Sequence, residues 1–138
     1  MTAEHDRTPL LRHLHPVLHI DPHGFAVIGP GAVNTPFAVI AEIEGTTAGA
    51  TLVALEAAGL PGAEPMARIS LSVHSALTAV GLTAVGLTAV GLMAAVATAL
   101  AQQGINANVV AGFHHDHILV PWDRRMAAMA ALQALSDG

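Results

Sequence analysis

The stretch Ala67-Arg68-Ile69-Ser70-Leu71-Ser72-Val73 alternates apolar and polar residues. Successive side chains of an extended chain point to opposite faces, so Ile69, Leu71 and Val73 share one side and Arg68, Ser70 and Ser72 the other. The pattern predicts a strand with one face in a core. Downstream the period changes. Leu92, Val96, Ala99 and Leu100 recur at helical spacing with Thr98 and Gln102 opposite, and Gly104 stands where a C-terminal glycine cap belongs. Asn108-Val109-Val110-Ala111 reads as a strand and His114-His115-Asp116 as a turn. Ile118-Leu119-Val120 is a further strand stopped by Pro121. Asp123 is placed to cap a last helix whose Ala128, Ala131, Leu132 and Leu135 share a face. The order strand–helix–strand–strand–helix predicts an α+β fold with helices on one face of an antiparallel sheet.

Upstream the signals are shorter. Met1 to Pro22 is a polar, histidine-rich arm broken by Pro9, Pro16 and Pro22, with one short ordered piece around Leu10 to Leu14. Gly24 to Ile28 is an apolar run that predicts a buried strand, and Pro30-Gly31 marks a turn. Thr35-Pro36 resembles an N-cap followed by proline at the first helical position. It predicts a short helix with Phe37, Ile40 and Ala41 as its apolar stripe, ended by Gly45. Thr51 to Leu55 reads as a strand, Glu56 to Gly59 as one helical turn at most, and Leu60 to Pro65 as a linker.

Composition narrows the function classes. With 138 residues the chain holds one ordinary domain or two very small ones. Charged residues are 11%, against roughly 25% in an average soluble domain, and hydrophobic residues are 53%. The formal charge is −5, and the five basic residues are all arginine, too few for a nucleic-acid-binding face. Cysteine is absent, which excludes disulfides, thiolate-bound zinc and a catalytic cysteine. No Asp, Glu, Lys or Arg lies between Arg68 and Asp116, and Ser75 to Ala101 is long enough to cross about 30 Å of bilayer as a helix. The run is rich in Ala, Thr and Gly, not Leu, Ile and Phe, and lacks flanking basic clusters, so no membrane span is expected. Met1 to Pro9 carries no apolar signal core, so a cytoplasmic location is expected.

One feature is a repeat. Thr78-Ala79-Val80-Gly81-Leu82 recurs as Thr83 to Leu87 and as Thr88 to Leu92. Five residues advance a helix by about 500°, so each copy lands about 140° round from the last and no stripe forms. The period also fails those of coiled coils, and three short copies make no solenoid. The repeat reads as a tandem duplication that lengthens a helix start or a glycine-hinged loop.

With two copies removed, Ile69 to Leu77 leads through one Thr-Ala-Val-Gly-Leu into Met93 to Asn106. That text resembles an ACT domain, a small regulatory βαββαβ module that typically binds amino acids. Gly91-Leu92 and Gly104-Ile105-Asn106 match its loop and helix-closing signatures. Val73-His74-Ser75, Asn108 to Ala111 and His114 to His117 are similar to a bacterial group of small tandem ACT proteins, distant relatives of the ACT pair of the cytosolic arginine sensor. The resemblance implies a ferredoxin-like sandwich, βαββα(β), over 66–138 with the repeat inserted at 78–92. It also implies a degenerate ACT-like unit with an N-terminal arm over 10–65. Two departures stand out: the family loop commonly carries an acid and a proline where this chain has His74 and Ser75, and the repeat enlarges the same loop by ten residues.

The loop is a candidate ligand site on physical grounds as well. A strand followed by a glycine turn and a helix N-terminus presents free N–H groups and a positive dipole end, which suits an amino acid's carboxylate. His74, Ser75, Gly91 and Leu92 would form that entrance, and Asn106 and Asn108 would offer donors and acceptors to the rest of the ligand. In the alternative, Ser75 caps the helix and Asn106 a turn with nothing bound.

Nine histidines raise a metal alternative. In extended chain, however, His115 and His117 point one way and His114 and Asp116 the other, and zinc wants three protein ligands. Glu42 and Glu44 do not share a helix face, no nucleophile-elbow or phosphate-loop pattern occurs, and the chain is read as non-catalytic with no cofactor. The expectation is an amino-acid-binding regulatory protein, homodimeric, with no nucleic-acid or membrane partner. The alternatives are a histidine-based metal binder or a ligand-free interaction module.

Overall fold

The computed structural model describes residues 14–29, 32–72, 82–112 and 114–137, with the side chains of the long helix described from Leu92 onward. The elements are β1 (Val17–Leu18), β2 (His23–Ile28), β3 (Ala38–Glu42), β4 (Gly45–Thr51), α1 (Leu52–Ala57), β5 (Met66–Leu71), α2 (Leu82–Gln102), β6 (Asn108–Ala111), β7 (Asp116–Pro121), a 3-10 turn (Trp122–Arg124) and α3 (Arg125–Asp137). The strands form one antiparallel sheet in the order β3-β4-β2-β5-β7-β6, with β1 also paired to β5. β7 runs along one edge of β5 from Met66↔Pro121 to Leu71↔Asp116. The other edge is shared: β1 pairs Val17↔Ser70 and Leu18↔Ile69, and β2 reaches it at His23↔Met66.

The alternation of β5 decides which face is which. Ala67, Ile69 and Leu71 are fully buried. They join Ile118 and Val120 of β7, Leu92, Val96 and Leu100 of α2, and Ala128 and Leu132 of α3 in the main core. Leu14, upstream of β1, is buried in the same core, and Leu18 packs against it. A smaller core lies under α1, where Ala48 and Ala50 of β4 meet Leu55 and Val33. Pairing of His23 with Met66 places β2's Ala26 and Ile28 on the same side as Ala67. All three helices therefore cover one face of the sheet. α2 closes as the glycine predicts: Gly104 has φ +67°, and the Ile105 N–H reaches back to Leu100 O at 3.0 Å.

Two upstream readings are corrected. The helix expected over 37–45 is strand β3, paired with β4 from Ala38↔Gly49 to Glu42↔Gly45. Val39 and Ile40 favour extended chain, and Thr35 has φ +44°, so the Thr-Pro pair turns the chain and does not cap a helix. The strand expected over 51–55 is helix α1, capped by Thr51, whose Oγ1 accepts the Ala54 N–H at 3.2 Å. Its run Leu-Val-Ala-Leu is apolar in both periodicities, and the cap decides.

The pentapeptide repeat enters α2. Its second and third copies, Thr83–Leu87 and Thr88–Leu92, lie within the helix. Twenty-one helical residues span about 32 Å, against about 20 Å for the six-residue β5. Among the described side chains of α2, those in the core are Leu92, Met93, Val96 and Leu100. Deleting Thr83–Leu92 leaves an identical Gly-Leu before Met93. That variant is expected to unfold cooperatively in urea within ~1 kcal/mol of the full chain, with a smaller helical circular-dichroism signal. Loss of the cooperative transition would show that the repeat belongs to the core.

Candidate functional site

The amide pair expected in the site lies where α2 ends. Asn106 and Asn108 are exposed and line a cleft of about 460 Å³ with Glu64, Met66, Ala107 and Pro121. Glu64 offers a carboxylate to an ammonium group, and the two amides offer donors to a carboxylate.

His74 and Ser75 lie outside the described residues. Gly91 and Leu92 are inside α2, not at its start, because the helix already runs from Leu82, and Leu92 is fully buried in the core. β6 is antiparallel to β7 and β7 to β5, so β6 starts at the end where β5 starts. Asn108 thus stands at the Met66 end of the sheet, and the chain leaves β5 toward His74 at the Leu71 end. Six strand residues separate the two ends by about 20 Å.

A second constellation sits on the face without helices. Arg68 and Ser70 project there from β5, and the pairing Ser70↔His117 brings β7 alongside. Ser70 Oγ lies 2.7 Å from His117 Nδ1 and 2.8 Å from Nε2 of His19, which follows β1. With one hydroxyl proton and two lone pairs, Ser70 donates to at most one of the two rings. The Arg68 guanidinium stacks over Phe37, 4.6 Å from the ring centroid. Phe37 stands edge-on to His23, Phe25 and His117 at 5.6–5.9 Å. Gly49 makes room for this ring: a Cβ there would lie 2.6 Å from Phe37 Cε1 and 2.9 Å from Phe25 Cε1. Residues from β2, β5, β7 and the β2–β3 connection thus meet above the seam between the two halves.

Burial and like charge keep these imidazoles neutral. His19 is lowered to about 4, first by desolvation and then by the positive charge of Arg68. His117 is lowered by the same causes in the same order. His23 is lowered by burial against an opposing hydrogen bond from its Nδ1 to Asp21 O at 2.8 Å. Arg68 itself is lowered by desolvation. His115 reaches toward Leu71 O, and its ring is 6.4 Å from that of His117. Among the described residues, no group of three or more His, Cys, Asp or Glu could hold a metal ion. Likewise no described helix is long and apolar enough to cross a membrane.

Sequence reasoning placed Arg68 and Ser70 on one face but did not find this cluster. Its remaining members are brought together by register between strands, which no local pattern encodes.

Two outcomes follow. An unfolded histidine titrates near 6.5 and His19 near 4, so between these pH values the unfolded chain binds more protons and stability falls as pH falls. His23 and His117 act in the same direction, with Arg68, His115 and Asp21 as the charged and titratable neighbours. Urea unfolding from pH 7 to pH 4 is expected to show this loss, and His19→Gln to flatten it relative to the full chain. Gly49→Ala is expected to cost about 1–3 kcal/mol by displacing Phe37 from Arg68; unchanged urea stability would refute that packing.

Comparison with known proteins then bears on the family. Residues 69–134 match the ACT domain family. A Vibrio cholerae protein of unknown function, described as a possible transport protein, is 33% identical over 98% of this chain and 99% of its own, with a TM-score of 0.74. The regulatory subunit of aspartate kinase from Thermus thermophilus is 15% identical over 89% of this chain and 97% of its own, with a TM-score of 0.55. An Agobacterium tumefaciens protein is 16% identical over 84% of each chain, with a TM-score of 0.57. At such identities the last two speak to the fold alone. No curated protein matches the chain. By its end-to-end likeness to the Vibrio cholerae protein the chain belongs to that protein's family, and its residues 69–134 are similar to the ACT domain.

Proposed function

We propose that the chain is a small, non-catalytic regulatory protein of ACT type that binds an amino acid. The observation that carries this reading is the cleft of about 460 Å³ edged by Glu64, Asn106 and Asn108. It lies within the usual size range of small-molecule sites. It also brings together the groups a zwitterion needs, a carboxylate for the ammonium and amide donors for the carboxylate. The Thermus thermophilus chain with the same fold is itself a regulatory subunit.

In this reading the protein is a tandem of two ACT-like units. The sheet order β5-β7-β6 of the second half is repeated in the first as β2-β4-β3. In the first unit residues 29–37 connect β2 to β3 where the second unit has α2, and six-residue α1 stands where the second has α3. The first is the degenerate partner (10–65) and the second the ferredoxin-like one (66–138). Asn106 and Asn108 are exposed at the rim of the cleft, where a second unit can close over a ligand. The protein is accordingly read as a cytoplasmic homodimer with the ligand between units.

A thermal-shift series with the twenty amino acids and, separately, zinc tests this. Ligand at a hundred times its Kd adds about 2.7 kcal/mol. One or a few amino acids should raise Tm by several degrees, and Glu64→Gln and Asn108→Ala should abolish the rise. No response to any amino acid would overturn the proposal. A rise with zinc alone, reversed by chelator, would return the histidines as metal ligands.

A further inference from the structure

We infer that the helix-free face of the sheet carries a second binding site, centred on Arg68 with His19, Ser70 and His117, that takes a small oxyanion such as a carboxylate or phosphate group. A cavity of about 270 Å³ opens there, lined by His19, Arg68, Ser70, Ser72, His115 and His117. It lies at the Leu71 end of β5, opposite the end that holds the Asn106–Asn108 cleft, so it goes beyond the amino-acid reading.

The charge balance of this cavity is what asks for an anion. Arg68 is half-buried, and its Nε is closed off from solvent without a hydrogen-bond partner. Its described neighbours are an aromatic ring and neutral imidazoles, not a carboxylate; the stacking on Phe37 attracts the cation without neutralising it. A desolvated cation without a counter-charge is costly, and the cost is relieved when an anion enters. The lining suits one. Guanidinium N–H groups match the spacing of carboxylate or phosphate oxygens. Ser72 adds a hydroxyl, and the imidazoles beside the cavity add N–H donors. The volume lies just below the usual range for drug-sized ligands, which fits a small carboxylate or phosphate group.

Position adds a consequence. Phe37 and His23 belong to the first half of the chain, Arg68, Ser70 and His117 to the second, and His19 to the segment joining β1 to β2. An anion held by this group contacts the seam where the halves meet. It also favours protonated imidazole, so binding takes up protons and strengthens as pH falls toward the value of about 4 at which the free His19 ring titrates.

The test is NMR titration of the full chain with succinate in one arm and inorganic phosphate in the other, with sodium chloride at matched ionic strength as control. Side-chain resonances of Arg68 and the histidines are followed. A saturable shift of Arg68 Nε–H and of the His19 and His117 rings is expected with at least one probe, and the arm that saturates at lower concentration identifies the oxyanion. Charge-assisted hydrogen bonds of this kind make Arg68→Gln roughly tenfold weaker or worse, and Arg68→Lys intermediate. Ser70→Ala, which keeps the arginine, should weaken binding less and serves if Arg68→Gln does not fold. Shifts no larger than those with chloride, or binding unchanged in both Arg68→Gln and Ser70→Ala, would overturn the inference. So would saturable shifts confined to Asn106 and Asn108.

Discussion

The structure depends on the two-sidedness of β5. The strand is hydrogen-bonded along both edges, and its six residues alternate without a bulge between the helix-covered core and the open face. A slip of one residue would turn Ala67, Ile69 and Leu71 out of the core and Arg68 and Ser70 into it. The main hydrophobic core and the Arg68 cluster are therefore two expressions of one constraint. The strand cannot bury Ile69 under α2 and α3 without presenting Ser70 to His19 and His117.

That constraint is also why the second half of the chain was readable, while in the first half strand β2 was found and β3 and α1 after it were not. β5, α2, β6, β7 and α3 all sit near where their periodicities put them, because each is long enough, or one-sided enough, for a period of 2 or 3.6 to show. In the first half the apolar runs are five or six residues long. Phe37 to Ala41 fits a helical stripe as well as it fits an edge strand, and Leu52 to Leu55 fits either state. What decided them was non-local: β4 offered hydrogen bonds to one, and the Thr51 hydroxyl capped the other. The position of the candidate ligand groups in the sheet was hidden for a similar reason. Asn106 and Asn108 were identifiable as polar residues after a helix, but the end of the sheet they occupy follows from β6 being parallel to β5 through an intervening strand. The Arg68 cluster was less legible still, since it needs the Ser70↔His117 register and the fold-back of Phe37.

The scarcity of charge gives the cluster its weight. Only 11% of the residues are charged, and one of five arginines is half-buried beside His19 and His117, whose pKa values are lowered by burial and by that arginine's charge. In such a field a single incoming anion changes the local balance more than it would on a surface crowded with both signs.

The pairing of β1 with β5 sets a limit on modularity. Leu14 fills the core of the second half, its carbonyl accepts the Ser72 N–H, and the His19 N–H donates to Arg68 O. The segment from Leu14 to His19 at the start of the first unit thus supplies a wall and an edge to the second, across a loop of some fifty residues. Such a closure is entropically late in folding. Neither half is a transferable cassette: cutting the chain near Pro65 would leave one piece with a naked strand edge and the other with an orphaned tail.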